Sequence, residues 1–176
     1  MEEFDAEELY QLLSTFCSNK NSDVQSFLTD PNKSIRLENT SKSRTYLILD
    51  EEGQILAYFS LSLKEIQLNQ DNEKPISKNL RKKLDGICKN SDRVNAYLIG
   101  QLGKNDSIND NLINLELILE EAYTLIDKAN QLVGGRVIIL ECEKVAKLVS
   151  LYQSAGFNIL IDNPAERLIT MYTFVR

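Results

Sequence analysis

The residues able to do chemistry in this chain are few. Histidine is absent from its 176 residues, which removes the commonest general base, the commonest metal ligand and every histidine-dependent triad. Proton transfer must then fall to Glu, Asp, Tyr, Lys, Cys or water. The stretch "KLVSLYQSAGF", Lys147 to Phe157, sets Tyr152 on a helix that stops at Gly156. Its periodicity leaves two readings open: a core ring sharing a face with Val145, Leu148 and Val149, or a working hydroxyl. Glu141 and Glu143 flank Cys142, and Glu65 closes an earlier apolar run. Each is a candidate base and equally an ordinary solvated carboxylate. Cys142 invites an acyl-cysteine scheme, but no histidine or lysine stands in motif spacing to activate it, so it reads as a small buried residue. Arg44 in "SRTY" is either a substrate-side contact or half of a strand-edge ion pair.

Composition narrows the classes. A hydrophobic share of 43% over this length suffices for the core of one domain, residues 1–176. The longest apolar runs fall short of a membrane span, and "MEEFDAEELY" is acidic where a signal peptide is basic. A soluble, cytoplasmic protein is expected. Cys17, Cys88 and Cys142 lack CxxC spacing, so neither disulfides nor a metal site is expected. A net charge of -6 opposes polyanion binding over the surface as a whole and counts against a nucleic-acid partner. The dense basic stretch "KNLRKKLDGICK", Lys78 to Lys89, is a solvated helix face or a local contact.

The elements that must position these residues follow from spacing. Helical periodicity over 4–16 (Phe4, Leu9, Leu12, Leu13, Phe16) predicts a first helix with Asp5 as cap, and Ser22 is expected to cap a second that Pro31 interrupts or restarts. Two β-rich runs around "DEEG" predict an antiparallel hairpin of 44–50 and 54–64. In its second strand Ile55, Ala57, Phe59, Leu61 and Leu63 are expected to share the more buried face. A polar loop over 67–79 and a short helix over 78–88 come next. "VNAYLIGQLGKN" reads as a central strand whose Gly100 and Gly103 mark a bulge or a close approach. An amphipathic helix over 111–133 ends at Gly134-Gly135, "RVIILEC" is a buried strand, and the Tyr152 helix leads to strands "FNILI" and "RLITMYTFV". This order predicts an α/β (α+β) mixed sheet covered by helices, with a βαβ unit over 94–141. An edge strand near the C-terminus is compatible with a homodimer.

"AYLIGQLGKN" with its helix, then "GGRVIILEC", then "KLVSLYQSAGF" resembles the GNAT N-acetyltransferases. "FCSNKNSDVQSFL" and "SRTYLILDEEGQILAYFSLSL" resemble blocks of the toxin-like GNAT branch, whose members acetylate aminoacyl-tRNA and are held by an antitoxin. The resemblance implies a sheet whose parallel central strands splay to admit acetyl-CoA, and helices on both its faces. It implies Tyr152 as the general acid toward the leaving thiolate and, through the toxin-like branch, aminoacyl-tRNA as acceptor; the net charge of -6 ranks that acceptor below a primary amine of a small molecule or protein, and no metal is expected. Cofactor contacts would come from Leu102, Gly103 and Lys104 and from the turn Asp110, Asn111, Leu112, Ile113, Asn114 and Leu115, with Arg44, Glu65 and Glu141 on the substrate side. The turn departs from the family pattern, since Ile113 and Leu115 stand where glycine or alanine is usual. A GNAT-fold binding module with a degenerate cofactor site is therefore the alternative, and an antitoxin-like protein a candidate partner.

Overall fold

A computed structural model describes residues 5–69 and 75–175; Phe4 and part of the expected 67–79 loop lie outside them. The elements run α1 (Ala6–Ser14), α2 (Ser22–Thr29), α3 (Ser34–Asn39), β1 (Arg44–Leu49), β2 (Ile55–Gln67), α4 (Lys78–Asp85), β3 (Arg93–Lys104), α5 (Leu115–Val133), β4 (Val137–Glu143), α6 (Ala146–Ser154), β5 (Asn158–Ile161) and β6 (Leu168–Phe174). Six strands form one mixed sheet in the order β1-β2-β3-β4-β6-β5. The chain divides into two compact units, Met1–Ser62 with Gly100–Ala122 and Leu63–Ile99 with Tyr123–Arg176.

In the first unit the caps differ from expectation. Asp5 occupies the N-cap of α1, but its exposed side chain makes no capping bond among the described residues. The cap of α2 is Asn21, not Ser22. Asn21 is extended, and its side-chain oxygen accepts from the N–H groups of Asp23 (3.0 Å) and Val24 (3.3 Å). Pro31 restarts the chain after α2, with the Arg36 N–H reaching the Pro31 carbonyl at 3.2 Å in the first turn of α3.

The β1–β2 hairpin is antiparallel, with Arg44 opposite Leu61 and Ile48 opposite Ala57. Its turn is drawn tight by Asp50, whose carboxylate accepts from the Gln54 N–H at 2.7 Å and the Glu52 N–H at 3.0 Å. The alternation expected in β2 does not hold. Ile55, Ala57 and Phe59 are buried, but so are Tyr58 and Ser60, while Leu63 is 72% exposed. Tyr58 is covered because α1 and α2 pack on it: Phe16 meets its ring edge-on at 5.1 Å, Phe27 stacks at 6.1 Å, and its hydroxyl donates to the Val24 carbonyl at 2.6 Å. Burial lifts the Tyr58 hydroxyl far above its ordinary range, so it stays a donor.

The second unit holds a core in which Leu84, Val137 and Ile139 are fully enclosed. Here β3 pairs parallel with β4 from Ala96–Val137 to Ile99–Leu140, as the strand-helix-strand order required. β6 pairs antiparallel with β4 and with the edge strand β5. α4 stops at Asp85, short of the expected residue 88, because Gly86 turns left-handed at φ 96°.

Gly103 tests the packing of the first unit. A Cβ there would lie 2.4 Å from Cγ1 of Val24 and 3.2 Å from the Phe16 and Tyr58 rings. The close approach is to α1 and α2, so Gly103→Ala is expected to cost about 1–3 kcal/mol by overpacking, read as a lowered denaturation midpoint. An unchanged midpoint would mean that α2 shifts freely.

Candidate functional site

The helix bearing Tyr152 ends in a motif that explains its own sequence. Gly156 takes φ 90°, its N–H donates to the Gln153 carbonyl at 3.0 Å, and the Phe157 N–H donates back to the Tyr152 carbonyl at 3.0 Å. This pair of bonds is the Schellman arrangement, which calls for glycine after the cap and an apolar contact across it. The contact is Tyr152 against Phe157, edge-on with centroids 6.1 Å apart. Spacing in "YQSAGF" thus fixes where the Tyr152 ring stands. Tyr152 is 9% exposed and its hydroxyl makes no hydrogen bond among the described residues. Burial, with a smaller contribution from Cys142, pushes its pKa up to about 12. The hydroxyl therefore holds its proton through the neutral range. Leu148 and Val149 are half-buried with it, but Val145 is 51% exposed because it is the extended N-cap and does not follow the helical face.

The neighbouring candidates are already engaged. Cys142 is 5% exposed, and its thiol, pushed up to about 11 by burial and then by Glu143, donates to the Met171 sulfur at 3.8 Å. A neutral buried thiol is a poor nucleophile. Glu141 receives both bonds of the Lys64 ammonium at 2.8 Å, with Thr170 Oγ1 at 3.4 Å. Glu143 pairs with Arg167. Glu65 accepts from the Gln67 amide at 2.8 Å and lies 3.6 Å from Arg93. Arg44 takes the bland course: it bridges to Glu38 at 2.9 Å and donates to the Glu38 carbonyl, while the same carboxylate accepts the Thr45 N–H. Lys64 was missed in the sequence, although a lysine inside "SLSLKEI" was its signal.

In the first unit the turn before α5 is a closed network. Asn105, 1% exposed, accepts from the N–H groups of Cys17 (3.0 Å) and Ser107 (3.1 Å) and donates to the Ile55 carbonyl at 2.8 Å. Asn111 donates to the carbonyls of Leu56 and Asn105 and accepts from the Ile113 N–H. Lys104 donates to the Asn111 carbonyl. Asp110 supplies a left-handed residue at φ 56°, a conformation that aspartate tolerates better than a β-branched residue. Asn114 caps α5, its side chain accepting from the Leu117 N–H at 3.0 Å. The N–H groups of Leu115 and Glu116 carry no bond among the described residues. Leu112 projects into solvent at 88% exposure, and Leu102 is half-buried. Asn105, the hub of this network, was not singled out in the sequence; an asparagine leaving a strand into "DS" is its only signal.

No family model matches the chain, and no curated protein matches it. Among solved structures, AtaT complexed with acetyl-methionyl-tRNAfMet is similar over 92% of this chain and 86% of its own, at 20% identity and a TM-score of 0.68. The chain has the GNAT fold. A tyrosine-to-phenylalanine mutant of the KacT protein shares the GNAT fold with it over 93% of this chain and 87% of its own, at 15% identity and a TM-score of 0.67. AtaTR bound with AcCoA does so over 93% and 85%, at 17% identity and a TM-score of 0.61.

The thiols offer a check on this arrangement. Exposed Cys88 is expected to be alkylated within the native protein at neutral pH, and Cys142 only after denaturation. Mass spectrometry of peptides after a timed iodoacetamide pulse reads both, and early labelling of Cys142 would contradict its burial.

Proposed function

We propose that this protein is an N-acetyltransferase that moves the acetyl group of acetyl-CoA to a primary amine by direct attack. The observation that carries the reading is Tyr152, a buried ring held by a helix cap, whose hydroxyl is protonated at neutral pH and without a hydrogen-bond partner among the described residues. In the reaction, the amine nitrogen attacks the thioester carbonyl carbon, the carbon–sulfur bond breaks, and the departing sulfur takes the proton of Tyr152. Tyr152 recovers a proton from solvent. The amine's surplus proton leaves through water, since Glu141 and Glu65 are engaged by Lys64 and Gln67. The residues that fit the diphosphate of acetyl-CoA are the N–H groups of Leu115 and Glu116 at the positive end of α5, with the Lys104 ammonium beside the turn. The backbone of Leu102 and Gly103 is the proposed rest for the pantetheine.

The acceptor to test first is the α-amino group of an aminoacyl-tRNA. AtaT is known in complex with acetyl-methionyl-tRNAfMet and, through AtaR, with an antitoxin. A partner of the antitoxin kind is proposed here on the same ground, a cytoplasmic location follows from such an acceptor, and a homodimer through the β5 edge is compatible with it.

A second reading, a GNAT-fold binding module, is favoured by one observation: the side chains of Lys104, Asn111 and Asn114 are spent on backbone groups in and beside the turn before α5, which has no glycine cradle. Substitution separates the two. Tyr152→Phe is expected to lower turnover by about a hundredfold or more while leaving acetyl-CoA affinity nearly unchanged. An unaltered rate removes Tyr152 from the mechanism. Under the module reading, neither the wild-type protein nor Tyr152→Phe releases CoA from acetyl-CoA when an amine is supplied.

A further inference from the structure

We propose that a cleft in the second unit, where Arg93, Asn95 and Arg136 converge, binds a phosphate group carried by a ligand of nucleotide size. The cleft measures about 350 Å³ and has Leu84 and Val94, both core residues, as its apolar floor. That volume lies at the small end of ligand sites, enough for a nucleoside monophosphate. Arg93 and Asn95 begin β3 and project on the same exposed side, two residues apart. Arg136 comes in from the start of β4.

Arg136 is placed rather than loose. Its Cδ and guanidinium nitrogens lie 3.0–3.1 Å from where a Cβ would stand on Gly86, so the left-handed glycine ending α4 leaves room for the arginine to lie across it. Its guanidinium has no carboxylate within ion-pair distance and no hydrogen bond among the described residues. Arg93 has only a 3.6 Å contact with Glu65. The acids of the cleft are better satisfied than its cations. Asp85 accepts from the N–H groups of Cys88 (2.6 Å) and Ile87 (3.1 Å), and Glu65 from the Gln67 amide. Arg136 attracts the Asp85 carboxylate and helps hold it below its ordinary range, yet most guanidinium N–H groups of the cleft carry no bond among the described residues, the condition under which two of them recruit a phosphate.

Charge in the surrounding segment adds to this. Residues 78 to 93 hold six cations and two acids in a chain whose net charge is -6. One of them, Arg81, is structural, donating to the carbonyls of Ile76, Ser91 and Leu68. Lys82, Lys83 and Lys89 are exposed around the cleft's rim elements and raise the local concentration of anions. The site goes beyond the acetyl-transfer reading and does not rest on it.

Calorimetry of the full chain at low salt with AMP, adenosine and a short single-stranded RNA tests the proposal. Saturable binding of AMP and none of adenosine is expected, weakened at least about tenfold by Arg93→Gln and by Arg136→Gln. Arg136→Lys, which keeps the charge and most of the stem, should retain part of it, and thermal melts of each variant verify folding. Binding of the RNA alone, with the same losses, assigns the phosphate to a strand rather than to a free nucleotide. Equal binding of adenosine and AMP, no binding of either AMP or RNA, or binding indifferent to both arginines in folded variants would overturn the site.

Discussion

The carbonyl of Tyr152 and the N–H of Phe157 make the hydrogen bond on which the functional account depends. It can form only because Gly156 takes a left-handed conformation, and it places the Phe157 ring against that of Tyr152. Most of the tyrosine is thereby removed from water, and desolvation of its phenolate form helps hold the proton on the oxygen. One backbone motif thus settles position, burial and protonation together. The same glycine ends α6 and releases the chain into β5, at the edge of the sheet.

The turn before α5 solves a different problem. A glycine-rich loop exposes its N–H groups to a ligand, whereas this turn spends much of its polarity on itself. Asn105 and Asn111 bind the carbonyls of Ile55 and Leu56, tying the exit of β3 to the start of β2. Asn105, buried with its bonds filled, is rigid, since leaving any one unmade would cost about 1–3 kcal/mol. Such a turn is preorganised, and the N–H groups left over at Leu115 and Glu116 are what it can offer an anion.

Much of this was legible in the sequence, and for identifiable reasons. Long periodic elements such as α5 and short β-branched runs such as "RVIILEC" declare themselves, and their order dictates the parallel β3–β4 pair. The tyrosine helix was legible because its cap leaves a fixed spacing from Tyr152 to Gly156 and Phe157. What escaped depended on residues distant in the chain. Tyr58 is inside because α1 and α2 cover it, and Gly103 is glycine because Val24 stands over it. The choice of Asn21 over Ser22 as cap turns on the backbone angle of a single residue. Glu141 carried the right chemistry for a base, yet Lys64, 77 positions away, occupies it.

We propose that a GNAT fold with this self-satisfied turn still takes acetyl-CoA. Isothermal titration of the purified protein with acetyl-CoA decides it most directly. A saturable, single-site isotherm and a matching rise in melting temperature are expected. No heat and no thermal shift at millimolar acetyl-CoA would contradict it and leave the fold as a binding scaffold.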